Sequence, residues 1–355
     1  MNRALSVGLA LLLAWTAAEA AAQGAPAGPS SNTVRAASAS APAPAASARK
    51  ASGRAAISNK RSTKQRRSVV RRPARPSEAQ LAGLHRVDDP LELRSSVVLV
   101  VDQDTDEVLF EKNPDAVLPI ASITKLMTAL VTLDAELPLD EQLVVTRSDR
   151  TVDRVASRLV PGVKLTREQA LHLALMSSEN HAAQLLGRTY PGGVQAFVDA
   201  MNAKAQLIGM HDSRFADPTG LSPENRSSPA DLVRLVKQAY EYDLIREFSV
   251  SSEMTLPVGK RQVRYGNTNR LTSNPDWDIG LQKTGFISAA GRCLVMSAMV
   301  EGQRVVMVLL DSVGKYSRLG DAQRIREWLV RRAVSTPSSG GPVAASADVG
   351  SAPPL

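Results

Sequence analysis

The sequence predicts an α+β fold in which one antiparallel five-stranded sheet, built from both ends of the folded region, packs against helices from the middle of the chain. Two β-branched segments come early and three strand-like segments come late. The residues between them repeat their apolar positions at helical spacing. Strands at both ends with helices between them favour a single sheet closed by the two ends.

The first two strands are expected at residues 95–101 and 108–111, which form a hairpin around the polar, turn-forming segment 102–106. Pro119 then precedes a segment whose apolar residues share one face, which predicts an amphipathic helix from near Ser122. The apolar residues of that face are Ile123, Leu126, Met127, Leu130 and Val131.

Two later helices begin with capping residues. Thr166 and Gln169 have capping-box spacing before a helix at residues 170–176. Ser228, followed by Pro229 at the first helical position, opens another helix.

The closing strands are expected at residues 280–287, 292–300 and 304–311, because short glycine-containing connections join them as hairpins require. Residues 321–332 follow with apolar side chains at helical spacing, which predicts a last helix.

The two chain ends do not have the composition of a folded domain. Residues 1–22 carry Arg3, an apolar stretch and small residues, which is typical of a cleavable export signal, so we expect an exported, periplasmic protein. Residues 23–77 form an Ala/Pro/Ser/Arg arm and residues 335–355 a Ser/Gly/Pro/Ala tail, and both are expected to be disordered. The folded domain is expected at residues 78–334.

The positive charge of the chain is concentrated in the arm. The arm holds twelve basic residues and no acidic ones, whereas 30 basic and 34 acidic residues remain after the arm and the export signal are removed. The sequence pI of 9.8 therefore describes the arm and not the domain. The arm lacks aromatic residues for base stacking, which argues against nucleic acid binding. Anionic envelope polymers or lipid headgroups are its expected partners, with peripheral association to membrane or cell wall.

The metal-binding residue types show no ligand pattern. The single cysteine, Cys293, lies in an apolar segment and is interpreted as a buried side chain. We expect no metal and no cofactor, because the histidines lack metal-ligand spacing. These are His85, His172, His181 and His211.

Three short motifs together contain the groups for acyl transfer: Ser122-Ile123-Thr124-Lys125, Ser178-Glu179-Asn180 and Lys283-Thr284-Gly285. The combination is typical of serine β-lactamases and penicillin-binding proteins. Ser-x-x-Lys also occurs elsewhere in the chain, but Lys-Thr-Gly occurs once.

The first motif supplies a nucleophile and a base. Ser122 and Lys125 are three residues apart on a predicted helix, so their side chains share a face. Apolar neighbours would desolvate Lys125 and leave its amine partly neutral near pH 7, able to deprotonate Ser122. The simpler interpretation is that Ser122 caps the helix and Lys125 is a solvated charge.

The second and third motifs supply a relay and a substrate site. Ser178 and Asn180 fall at a helix-to-helix junction, where Ser178 can pass a proton and Asn180 can bond Lys125; both could also be ordinary capping residues. The third motif lies in a strand suited to an extended peptide. There Lys283 would set the electrostatics and Thr284 would bind a carboxylate.

The strand also carries two backbone features. Gly285 would let another backbone approach, and the N–H of Phe286 would form an oxyanion hole with that of Ser122. We therefore predict Ser122, Lys125, Ser178 and Asn180 as catalytic, and residues 283–286 as substrate-binding.

At these residues the chain resembles the low-molecular-mass penicillin-binding proteins, over about residues 91–330. The resemblance implies the β-lactamase/transpeptidase-like fold, the site roles given above, peptidoglycan cross-links as substrate and β-lactams as covalent inhibitors. More narrowly, the chain is similar to the D-alanyl-D-alanine endopeptidases in four longer matching segments. These are residues 119–128, 176–180, 217–221 and 283–286.

The leading functional prediction is a serine D,D-endopeptidase that cuts D-alanyl-diaminoacyl cross-links through an acyl-enzyme. A D-alanyl-D-alanine carboxypeptidase is the nearest alternative, since only the leaving amine differs. A β-lactamase would need a carboxylate that activates water; Asp217 and Glu224 lie in a loop between helices, but neither is embedded in a recognisable motif for that task. A catalytically silent envelope-binding protein is the alternative from another class, although complete motifs argue against it.

Overall fold

The computed structural model describes residues 75–150 and 157–335. The predicted export signal, nearly all of the arm and the tail after Ser335 lie outside the described residues, so those boundaries stay predictions. Ser77, which the sequence analysis placed in the arm, is buried and caps the first helix through a bond from the Gln80 N–H to its side chain. The described fold therefore includes Ser77.

The described residues contain eleven strands. In chain order they are β1 (Ser95–Asp102), β2 (Val108–Lys112), β3 (Leu118–Pro119), β4 (Gln142–Val144), β5 (Lys164–Thr166), β6 (Arg226–Ser227), β7 (Glu253–Val258), β8 (Arg261–Gly266), β9 (Asp278–Ile287), β10 (Gly291–Val300) and β11 (Gln303–Ser312).

The same residues contain eight α-helices. They are α1 (Glu78–Leu81), α2 (Lys125–Asp134), α3 (Arg167–Met176), α4 (Asn180–Arg188), α5 (Gly193–Leu207), α6 (Pro229–Tyr240), α7 (Asp243–Val250) and α8 (Ser317–Ser335). No helix in the described parts of the chain is long and apolar enough to cross a membrane.

The main sheet confirms the predicted fold class. Its five strands are antiparallel and ordered β2-β1-β11-β10-β9, so β9 is an edge strand. The first two strands and the last three come from opposite ends of the folded region. They meet where β1 pairs with β11, with Val97 opposite Leu310.

Both faces of the sheet are covered. Along β1, Val97 and Leu99 belong to the core that faces the central helices, while Val98 and Val100 pack with α8 on the other face. Since successive side chains of a strand point to opposite faces, a strand covered on both sides is apolar throughout. This explains why β1 reads as a continuous β-branched segment.

The predicted helix starts agree well with the structure, with one difference at the first helix. Thr166 caps α3 with the expected capping box, and Ser228 caps α6 with Pro229 in its first turn. Ser122, however, lies in a 3-10 turn at Ala121–Thr124, and the α-helix begins at Lys125. Ala121 has a φ of 49°, in the left-handed region, so a regular right-handed helix cannot extend back through it.

Candidate active site

Ser122 lies at the junction of a 3-10 turn and helix α2. Residues three apart in a 3-10 turn lie on the same face. The Lys125 side chain accordingly reaches back, and its Nζ lies 2.9 Å from the Ser122 Oγ. The Ser-x-x-Lys spacing thus produces a direct contact between hydroxyl and amine.

Lys125 is completely buried, as its apolar neighbours predicted. Its Nζ also donates to the Asn180 Oδ1 at 2.7 Å and to the Thr219 carbonyl at 2.6 Å. Burial lowers the pKa of Lys125 to about 7, although the charges of Asp217 and Glu179 act in the opposite direction. A large fraction of these amines is therefore neutral near pH 7 and can accept a proton.

Ser178 occupies the tight connection between α3, which ends at Met176, and α4, which begins at Asn180. Its φ of 60° is in the left-handed region, which non-glycine residues rarely adopt. Such backbone strain is concentrated at functional sites. The Lys283 Nζ donates to the Ser178 Oγ at 2.9 Å, so the second and third motifs meet here.

Lys283 is the second fully buried lysine of the site. Besides Ser178, its Nζ donates to the Thr284 carbonyl at 3.0 Å. Burial, followed by the positive charges of Lys125 and Arg318, holds the pKa of Lys283 well below its usual value. Two buried amines close together disfavour a second positive charge, so the site favours the state in which at least one amine is neutral.

The edge strand β9 packs against the turn that carries Ser122. A Cβ at Gly285 would lie 2.9 Å from the Ile120 carbonyl oxygen and 3.3 Å from the Ser122 nitrogen. A side chain there would push the strand away from the nucleophile. Thr284 is buried on β9, and its Oγ1 lies 2.6 Å from the Oγ1 of Thr268.

A loop with no role assigned from sequence completes the surroundings of Lys125. The Asp217 carboxylate accepts hydrogen bonds from the backbone N–H groups of Thr219, Gly220 and Ser222 and from the Asn225 Nδ2. This directs the Thr219 carbonyl at Lys125. Residues 217–221 carry part of the family resemblance, but nothing in that segment indicated contact with a residue 94 positions away.

Arg318 is a site residue that sequence reasoning missed. It lies in the first turn of α8, is only 8% exposed, and its Nε and Nη1 have no hydrogen-bond partner among the described residues. Its positive charge is one of the causes that lower the pKa of Lys283. A buried guanidinium with unpaired donors is a ready partner for a carboxylate. No local pattern around Arg318 distinguishes it from the other arginines of that helix.

Known proteins combine this fold with these motifs. The sequence profile described as D-alanyl-D-alanine carboxypeptidase, a family of serine peptidases, matches residues 85–314. The chain belongs to this family. It is a serine hydrolase of the penicillin-recognising type, and the predicted family resemblance is confirmed.

Curated relatives and solved structures agree. A D-alanyl-D-alanine endopeptidase of Pseudomonas aeruginosa is 48% identical over 67% of this chain and 78% of its own length, and one of Escherichia coli is 45% identical over the same shares. The structure of a Mycobacterium tuberculosis D-alanyl-D-alanine carboxypeptidase matches with a TM-score of 0.63 and 26% identity, over 69% of this chain and 94% of that one. Penicillin-binding protein D2 of Listeria monocytogenes in its cefotaxime-bound form matches with a TM-score of 0.60 and 28% identity, over 68% and 98%.

The structure brings the predicted site residues together in two hydrogen-bonded groups and the strand beside them. Ser122, Lys125 and Asn180 form one hydrogen-bonded group, and Ser178, Lys283 and Thr284 form another. Gly285 and Phe286 continue β9 past the nucleophile turn, and the Phe286 side chain is 53% exposed. The catalytic and binding roles of these residues stay predictions.

Proposed function

We propose that this protein is an exported serine D,D-endopeptidase that hydrolyses the amide between a D-alanyl carbonyl and a diaminoacyl amine in peptidoglycan cross-links. The observation that carries the proposal is the contact between the Ser122 Oγ and a buried lysine amine whose pKa is about 7. Curated relatives named D-alanyl-D-alanine endopeptidase, at 48% and 45% identity, support this choice of substrate.

The first half of the reaction acylates Ser122. Neutral Lys125 takes the Ser122 proton as the Oγ forms a bond to the D-alanyl carbonyl carbon. The backbone N–H groups of Ser122 and Phe286 stabilise the oxyanion. When the C–N bond breaks, the proton on Lys125 passes to the leaving amine through Ser178, and an ester remains on Ser122.

The second half releases the product. A water molecule gives a proton to Lys125 and attacks the ester carbonyl. The C–O bond to Ser122 then breaks, and the proton held by Lys125 restores the serine hydroxyl. One water is consumed for each amide cleaved, and the enzyme returns to its starting state.

Three side chains would hold the carboxylate beside the scissile amide. Thr284 offers a hydroxyl, and Lys283 and Arg318 offer buried donors. An anion placed there would favour protonated Lys283, and Lys125 would remain the neutral amine that acts as base. This division of charge assigns different tasks to two chemically identical side chains.

A carboxypeptidase remains the second candidate, because the same groups would act on a terminal D-alanine and the matching family profile carries that description. A β-lactamase is not favoured. Four hydrogen bonds to backbone and side-chain N–H groups occupy the Asp217 carboxylate, and Glu224 is exposed. Penicillins and cephalosporins would acylate Ser122, and the resulting acyl-enzyme would hydrolyse slowly. The cefotaxime-bound relative supports this expectation.

The location and further partners are also part of the proposal. Residues 1–22 would direct export to the periplasm. The twelve positive charges of the arm would attract anionic envelope polymers or lipid headgroups and hold the enzyme near its substrate.

The decisive test offers the purified protein two substrates, a cross-linked muropeptide dimer and a monomeric pentapeptide, and separates the products by mass. We expect dimers to become monomers. Loss of a single alanine from the pentapeptide, with dimers intact, would identify a carboxypeptidase. The Ser122→Ala variant is the control and should lose both peptide cleavage and covalent labelling by a fluorescent penicillin. Labelling that persisted on this variant would show that another residue is the nucleophile.

A further inference from the structure

A group of cations with exposed aromatic rings surrounds the outer end of β9. The Arg270 guanidinium and the Lys315 Nζ each lie 5.1 Å from the centroid of the Tyr316 ring. The Arg292 guanidinium lies 4.5 Å from the centroid of the Phe286 ring. We call these five residues the cationic rim.

The rim carries uncompensated positive charge. Within residues 75–150 and 157–335, Arg270, Arg292 and Lys315 form no ion pair with a carboxylate. A hydrogen bond from Lys315 and the charges of the two arginines lower the pKa of Tyr316, although its phenol is exposed. Three cations that lie around two exposed rings and have no carboxylate partner there favour an anionic ligand.

The rim adjoins the proposed carboxylate site. The hydroxyls of Thr268 and Thr284 form a hydrogen bond, and Arg270 follows Thr268 by two residues. Phe286 follows Thr284 by two residues on β9, so both side chains lie on the same face of the strand. Arg318, buried and unpaired, follows Tyr316 by two residues.

The two candidate substrates differ in what lies beyond that carboxylate. In the pentapeptide, the D-alanine that carries this carboxylate is the last residue. In a cross-link, the leaving amine belongs to a diaminoacyl residue, which continues into a second stem peptide with further free carboxylates. Only the cross-linked substrate would extend from Thr284 and Arg318 across the rim.

We propose that the cationic rim is a subsite for the acidic peptide that carries the leaving amine. The exposed rings of Phe286 and Tyr316 provide apolar surface for that peptide, and the three cations pair with its carboxylates. The inference rests on the proposed endopeptidase function and deepens it, because the rim would favour cross-links over terminal D-alanine.

The test compares the double variant Arg270→Gln/Lys315→Gln with a matched control, Lys164→Gln/Arg331→Gln. Both pairs remove one exposed arginine and one exposed lysine, and the control residues lie on β5 and at the end of α8. Steady-state kinetics are measured on the muropeptide dimer and the monomeric pentapeptide, at low and high salt. The acylation rate with a fluorescent penicillin is measured alongside.

For the rim variant we expect the dimer KM to rise on the order of tenfold at low salt, since each exposed charge pair contributes up to about 1 kcal/mol. High salt should reduce the difference, because screening weakens exposed pairs. Pentapeptide cleavage and penicillin acylation should stay unchanged, which also shows that the variant is folded. The control variant should match the unaltered protein in every measurement.

Two results would overturn the inference. A dimer KM equal to that of the control would mean that the rim does not bind the leaving peptide. An equal rise in KM for dimer and pentapeptide, together with a matching fall in the rate of penicillin acylation, would place the two cations in the general carboxylate site instead. Failure of the unaltered protein to cleave dimers is a separate outcome, which would overturn the endopeptidase proposal and the subsite with it.

Discussion

At the scale of single residues, the site depends on two lysines that folding removes from water. Burial of an amine favours its neutral form. Buried charged lysines are usually paired with a carboxylate, which stabilises the positive charge. In the described residues neither Lys125 nor Lys283 has a carboxylate ion pair, and their hydrogen bonds go to hydroxyl, amide and carbonyl oxygens. The fold therefore gives up some stability to keep a reactive amine next to Ser122.

The first prediction concerns pH. If neutral Lys125 is the base, the second-order rate of acylation by a penicillin should rise as pH increases through about 7 and level off above it. The rate increases with pH because the reactive form of the Lys125 amine is the one without the extra proton. At pH 6 the rate should be about tenfold below the plateau. A rate that stays constant between pH 6 and pH 8 would contradict the assignment.

Lys125→Arg is the companion variant in the same assay. A guanidinium keeps the charge but does not give up its proton in this range, so acylation should fall below detection at every pH. Near-normal acylation by the variant would show that Lys125 acts through its charge alone.

At the scale of secondary structure elements, the nucleophile turn is held between a loop and a strand through close backbone contacts. Gly220 has a φ of 78°, and a Cβ there would lie 1.9 Å from the Ala121 carbonyl oxygen and 2.9 Å from the Ser122 nitrogen. On the other side, β9 approaches the same turn at Gly285. Both contacts act on backbone atoms, so side-chain rotation cannot relieve an added methyl group.

The second prediction is therefore that Gly220→Ala displaces the turn that carries Ser122. We expect a loss of roughly 2–4 kcal/mol in the free energy of unfolding, and at least a tenfold slower penicillin acylation. Denaturant unfolding and acylation kinetics measure the two effects.

Gly83→Ala is the matched control for this prediction. Gly83 has nearly the same φ, 76°, but no atom lies within 4 Å of the added Cβ. The Gly83→Ala variant should therefore lose only about 1 kcal/mol in the free energy of unfolding, because alanine disfavours this backbone conformation. Its acylation rate should stay unchanged. Equal effects in the two variants would mean that the contact with the nucleophile turn is unimportant.

At the scale of the whole molecule, the first residues that the structure describes pack beside strand β9. The Glu78 N–H donates to the Ala289 carbonyl in the turn between β9 and β10, and the Glu78 carboxylate pairs with Arg226. Glu78 is thus held at the hairpin that carries Lys283.

The third prediction is that deleting residues 24–75 leaves cleavage of small soluble substrates unchanged, since Ser77 and the contacts of Glu78 remain. Binding to anionic cell-wall sacculi or lipid should weaken, and the lost part should be the salt-sensitive part. Co-sedimentation at low and high salt measures it.

A form of the protein whose twelve arm lysines and arginines are replaced by glutamine separates charge from length. It should bind as weakly as the deletion. Equal sacculus binding by all three forms at low salt would reduce the arm to a spacer, and loss of soluble-substrate activity on deletion would make it part of the folded domain.

The sequence by itself determined the features that depend on neighbouring residues. The β-branched strand segments, the Thr166 and Ser228 caps and the three motifs are local patterns that the sequence shows by itself. Desolvation of Lys125 was also predictable, since its apolar neighbours on the helix identify it as buried. The family resemblance followed from short segments of the same kind.

Only the tertiary structure decided what depends on residues far apart in the chain. The Thr219 carbonyl beside Lys125, the close approach of Gly220 to Ala121 and the unpaired guanidinium of Arg318 each join distant segments. No residue type or spacing encodes them, because packing of the loop, the strand and the last helix creates them. The same reason explains the cationic rim, where one loop, two strands and the start of α8 bring together cations that are scattered in the sequence.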